Sequence, residues 1–207
     1  MSAQIGIAIC LLLTLRATGR NTAPESAEAT EAEYEVFSTY IGRSFVGAVG
    51  KDRVGDRVSQ IVLVNRTESD EADLTDEDMP PRERERHLRK EVPSLSNATI
   101  SNFHWANIKQ AQLGLHFHLP VWYQLISAEK VGSILKDVSS WPEYYKQYPG
   151  AQGYMALSRV GFSPHENQAL FYASNRCGGK CATGSYVVME KHGSVWKIVK
   201  EVFIWMS

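Results

Sequence analysis

Cysteine is scarce in this chain, 3 among 207 residues, and so are proline, at 8, and glycine, at 15. These shortages exclude a disulfide-dense mini-scaffold, a proline-rich linker protein and a collagen-like repeat. Charge of one sign is missing too: 22 Lys and Arg stand against 23 Asp and Glu, for a formal net charge of -1. No global basic field draws phosphate backbones or anionic lipid surfaces, so nucleic acid is not an expected partner. The apolar run over 5–15 falls short of the roughly 20 residues a helix needs to cross a bilayer, so no integral membrane span is expected in the mature protein. What is present, 43% hydrophobic and 22% charged residues, fits an ordinary globular domain with a real core.

The run over 5–15 reads as a secretory signal, because small residues suited to a cut follow at Ala17-Thr18-Gly19 and again at Ala27-Glu28-Ala29. Arg16 and Arg20 lie after the run and no Lys or Arg before it, against the usual bias; a buried N-terminal helix or strand is the alternative. Cys10 sits inside the run rather than at its end, which disfavours a lipoprotein. Residues 21–33 are too poor in apolar side chains to offset the entropy of ordering and read as a solvated linker. The expected organisation is therefore a signal peptide and linker over 1–29 and a single domain over 30–207, with a charged insertion near 68–92. The fold itself is expected to start near Tyr34, and the expected location is secreted or periplasmic.

Along the domain, Tyr34, Phe37, Ile41 and Phe45 recur at helical spacing, and 58–65 is a β-branched, apolar run that reads as a buried strand. Residues 70–78 carry six acids without the glycine and glutamate spacing of a calcium loop, and a charged helix follows Pro80-Pro81. Asn97 or Thr99 is placed to cap a helix reaching about Gln112. In 113–127 Leu115, Phe117, Leu119 and Val121 alternate with His116, His118 and Trp122, as in an extended segment that Pro120 confines to an edge or a bend. Ser127 opens a further helix, and Trp141 begins an aromatic helical turn ended by Pro149-Gly150. Four β-rich runs, 154–162, 168–175, 185–191 and 195–205, are joined by connections short enough to force antiparallel neighbours. The fold class expected is α+β: an antiparallel or mixed sheet of about five or six strands, ending in a four-stranded meander and packed by several short helices.

Ser158-Arg-Val-Gly-Phe162, Asn167-Gln-Ala-Leu170, Cys177-Gly-Gly-Lys-Cys181, Gly184-Ser-Tyr186, Trp196 and Trp205-Met-Ser207 occur in that order. Together they resemble a family of uncharacterised exported bacterial proteins with no assigned activity. The resemblance covers about 105–207 and extends weakly to the helix and strand before residue 66. Lys180 and Ala182 depart from the pattern, which tends to be apolar at the first position and glycine at the second.

Cys177 and Cys181 are the sharpest local feature. Their three-residue spacing differs from that of thioredoxin-like redox motifs, and Gly178 and Gly179 between two β-runs suit a hairpin closed by a structural disulfide. A labile disulfide, free thiols and a zinc site with His165 and His192 are the alternatives. His116 and His118, with His104, form a metal reading that lacks an identifiable third ligand, so no metal and no cofactor are expected. Ser158 lies outside any Gly-x-Ser-x-Gly elbow, and Arg159 either pairs with a carboxylate of an adjacent strand or grips an anion. Arg159, Trp141, Tyr145 and Trp196 are the candidate ligand cleft; Tyr144, Tyr148 and Trp205 extend the aromatic set, and core packing is the alternative for all of these rings. Asn65 and Asn97 start glycosylation sequons that matter only in eukaryotic secretion. Two functions follow as expectations: an exported non-catalytic binding or interaction domain with a protein or small-ligand partner, or a small periplasmic or extracellular enzyme, most simply a hydrolase.

Overall fold

The computed structural model describes residues 27–46, 58–68 and 79–207. The signal-like run, the loop over 47–55 and the acidic stretch over 70–78 lie outside the described residues.

Helix α1, Glu31–Ile41, begins at a reciprocal cap: the Glu33 amide donates to Thr30 Oγ1 at 3.3 Å and the Thr30 amide to the Glu33 carboxylate at 2.8 Å. Two amides that the helix start leaves free are thereby satisfied. A π-helical turn, Gly42–Val46, continues it. Strand β1, Gln60–Val64, is buried throughout, as a parallel strand covered on both faces should be. Helix α2, Pro81–Glu91, starts on proline, whose missing amide would be unpaired there anyway, and buries only Arg84 and Leu88. Helix α3, Asn97–Ala106, β2, Trp122–Ile126, α4, Ala128–Ile134, and α5, Trp141–Gln147, follow. The last third supplies β3, Tyr154–Leu157, β4, Gly161–Phe162, β5, Gln168–Gly178, β6, Cys181–His192, and β7, Val195–Met206.

These strands form one mixed sheet in the order β2-β1-β3-β5-β6-β7, with β4 beside β5. Strand β1 runs parallel to both β2 and β3, and every later pairing is antiparallel. The α+β class and the meander are as expected, with seven strands where five or six were anticipated. Alternation along β5 sorts the cores. Ala169, Phe171 and Ala173 face α1 with its Phe37, Tyr40 and Ile41, while Leu170 and Tyr172 face Leu88, Ile100 and Phe103 of α2 and α3. On the same side as α2 and α3, Val62 and Val64 of β1 meet Val131 of α4 and Tyr144 of α5. Among the described residues, no helix is long and apolar enough to cross a membrane.

Three expectations are corrected. The fold starts before Tyr34: Glu28 bridges to Gln112, Ala29 is buried, and Glu33 is 1% exposed, so residues 28–33 belong to the domain and not to a solvated linker. Helix α3 is capped by Ser96, whose Oγ accepts the Thr99 amide at 3.0 Å, and it ends at Ala106 because Asn107 turns out of helical geometry. In 113–127 only Trp122–Ile126 is strand; Leu115 is 75% exposed, and the preceding segment packs over α1 through Phe117.

Candidate functional site

The turn between β4 and β5 and the end of β6 meet the start of α3 around one side chain, Gln168. Gln168 is the first residue of β5 and faces the α3 side of the sheet. Its Oε1 accepts from the Ser96 amide at 2.8 Å and from Thr99 Oγ1 at 3.0 Å, and its Nε2 donates to the Ser94 carbonyl at 3.1 Å. A buried amide is stable only when its donors and acceptors are met, and here α3 and its leading loop meet them. Ser163 organises the turn. Its Oγ accepts from the amides of Asn167 and Gln168 at 3.2 and 3.1 Å and donates to Asn167 Oδ1 at 2.7 Å. Within this turn Glu166 holds a φ of 50°, a left-handed value that few non-glycine residues adopt.

Above this floor opens a polar cleft of about 320 Å³, completed by Glu190, Lys191 and His192. That volume is at the lower end for small-molecule sites, roughly 300–1,000 Å³. The Lys191 ammonium in the cleft faces a carboxylate, and Glu190 has polar neighbours. Lys191 Nζ is 3.0 Å from Glu35 of α1, and His192 Nε2 is 4.0 Å from Glu190, which also accepts from Gln168 Nε2 at 3.4 Å. A second cavity, between α2, α3 and the sheet, has about 60 Å³ over Leu88, Ile100, Phe103 and Leu170, too little for a ligand of ordinary size.

The structure disperses the residues expected to form a ligand cleft. Arg159 reaches Glu33 of α1, not a strand carboxylate: its Nε and Nη2 donate to Oε1 and Oε2 at 2.7 and 2.9 Å, and the Val160 amide adds a third bond to Oε1 at 3.0 Å. Burial would raise the Glu33 carboxyl, but these bonds and the Thr30 amide outweigh it and hold the group below the ordinary carboxylate range. Trp141 and Tyr145 do lie together, ring centroids 5.8 Å apart, on the α5 side of the sheet. Trp196 is 2% exposed in the core beneath α1, with Phe162 and Lys191 against its ring. Ser158, 0% exposed, accepts the Tyr172 amide and donates to the Arg159 carbonyl, so its hydroxyl is spent on the backbone. Tyr144 is buried, its phenol pushed up by that burial and donating to the Gly153 carbonyl at 3.0 Å. Tyr148 packs on it, while Trp205 Nε1 donates to Tyr172 Oη at 2.7 Å. His104 is 3.8 Å from Glu85 and His116 is 3.2 Å from Glu28, while His118 is exposed. Among the described residues no three His, Cys, Asp or Glu gather as a metal site.

Cys177 and Cys181 are at bonding distance, Cα atoms 5.1 Å apart, and close the β5–β6 hairpin. Tyr145 Oη donates to the Cys177 carbonyl at 2.7 Å, so α5 rests on this hairpin. Closing so short a loop stabilises by about 2 kcal/mol through the unfolded chain. Urea unfolding with and without a dithiol reductant is expected to differ by about that amount, and Cys177→Ser should equal the reduced protein.

No family model matches the chain, and neither a curated protein nor a solved structure matches it. The fold and the site define an α+β domain with a polar cleft. Sequence reasoning missed Ser96, Ser163, Asn167, Gln168 and Glu190. The available signal was Gln168 itself, an uncharged polar residue on the inward side of an otherwise apolar run, beside the Ser163-Pro-His-Glu-Asn167 turn.

Proposed function

We propose that this chain is an exported, non-catalytic binding domain of the bacterial family its motifs resemble, and that the cleft around Gln168 takes its ligand. The observation that carries the reading is the division of labour among polar side chains. Ser158 and Arg159 are consumed by the scaffold, while the cleft presents Asn167, Glu190 and His192 to solvent over a floor that is already satisfied. The closed Cys177–Cys181 hairpin supports an oxidising compartment, since such bonds persist outside the cytoplasm.

Intact-mass analysis of the protein from a bacterial producer, fractionated without reductant, tests this. The expected product lies outside the cytoplasm, lacks a leader ending before residue 28, and carries two hydrogens fewer than its sequence. A full-length cytoplasmic product with two free thiols would overturn export. Turnover of a test ester or peptide that is abolished by substitution in the cleft would overturn the non-catalytic reading.

A further inference from the structure

The cleft's own charge pattern restricts what it can bind. An anion entering beside Lys191 must compete with Glu35, which already holds that ammonium at 3.0 Å while the Trp196 ring lies 5.3 Å from it. A cation entering beside Glu190 displaces contacts from Gln168 Nε2 and His192. An anion would leave the Glu35 carboxylate without its ammonium, and a cation would take Glu190 from the buried Gln168 amide; a neutral ligand avoids both losses.

What the cleft offers instead is a set of hydrogen-bonding groups of both senses, close together. Asn167 is exposed, and its Oδ1 is occupied by Ser163, which fixes the carboxamide with its Nδ2 hydrogens directed elsewhere. The Glu190 carboxylate accepts, and the exposed His192 ring supplies one donor and one acceptor when neutral. Hydroxyl groups, each a donor and an acceptor at once, match such a set. The floor that positions these groups is rigid, because Gln168 and Ser163 are both 8% exposed and hydrogen-bonded on each side.

Resting on the reading of this cleft as the ligand site, we infer that its ligand is a neutral, polyhydroxylated molecule: a saccharide unit held by Asn167, Glu190 and His192. The favoured source is free sugar or the end of a glycan, and a peptide is the competing class.

The test is an amide-resolved NMR titration of the oxidised protein with a panel of neutral mono- and disaccharides, alongside acetate, inorganic phosphate and N-acetyl amino-acid amides. Saturable shifts at Ser163, Asn167, Gln168 and Glu190 with at least one saccharide, and weaker or no shifts there with the anions and amides, are expected. Asn167→Asp, which keeps the acceptor for Ser163 and removes the outward donors, should weaken saccharide binding about tenfold, and His192→Ala several-fold, with unchanged unfolding midpoints. Shifts in the cleft from phosphate, acetate or the amides alone would overturn the saccharide inference and leave the cleft as the site. Saccharide shifts confined to the Trp141 and Tyr145 face would overturn both, and so would a panel that moves no cleft amide.

Discussion

Glu33→Ala is expected to destabilise the protein by about 3–5 kcal/mol, the cost of leaving the partner of a buried ion pair uncompensated. Glu33 is 1% exposed, and the Arg159 side chain, 17% exposed, can recover only part of its two short bonds from water. The same substitution deletes half of the α1 cap and strands the Val160 amide. Arg159→Ala added to Glu33→Ala should cost little more than Glu33→Ala alone, because both remove the same ion pair. Urea unfolding of the two single variants and the double variant measures this directly. Additive losses, or a Glu33→Ala midpoint near that of the parent, would return Arg159 to the list of candidate ligand groups.

The pair also sets a sign for pH dependence. A carboxyl whose folded pKa lies below its unfolded value contributes stability that is fully present above the unfolded pKa. That contribution is lost as pH falls toward and through the folded value. Glu33 is such a group, so the parent should lose stability on acidification below the ordinary carboxylate range, and Glu33→Ala should lose less.

Gly161→Val is expected to cost about 3 kcal/mol, at the upper end for overpacking. A Cβ at Gly161 would fall on the backbone nitrogen and Cα of Phe103, and a helix backbone cannot yield as a side-chain tip can. The second half of α3, which carries Phe103, would have to lift from β4. Gly132→Ala in α4, where a Cβ meets open space, is the matched control and should be neutral or stabilising. Equal melting temperatures for the two variants would mean that α3 is not seated as described.

Local patterning made much of the architecture legible. Tyr34, Phe37 and Ile41 announce α1, and the short Cys-Gly segment and the turn at His192-Gly193-Ser194 set the antiparallel order of β5, β6 and β7. The parallel pairing of β1 with β2 and β3 was not legible, because its partners are separated by helices and the register depends on what those helices bury. The run over 154–162 has the pattern of one strand, yet it divides at Ser158, where Arg159 leaves the sheet to reach Glu33. Helix α3 stops short for a related reason. The side chain of Asn107 serves both the amide and the carbonyl of Arg159, an attraction invisible in local propensity.

The motif residues that carried the family resemblance illustrate the same point. Ser158 holds the Tyr172 amide, Arg159 locks α1, Gly161 admits α3, Gln168 fixes the start of that helix, and Gly184 leaves room for Tyr172 Oη and Trp205. These residues account for a scaffold, and the groups left for a ligand, Asn167, Glu190 and His192, stand on a floor that reaches back to Ser96. No spacing rule joins such distant positions before the sheet does.

The central claim is that a fixed polar floor presents a neutral ligand site between the β4–β5 turn and the end of β6. A crystal structure of the oxidised protein soaked with the tightest saccharide from the titration tests it most directly. A sugar ring with hydroxyls on Asn167 and Glu190, and with Gln168 still bonded to Ser96 and Thr99, is expected. A ring bound elsewhere, or a Gln168 side chain turned out of its contacts to hold the ligand itself, would contradict it.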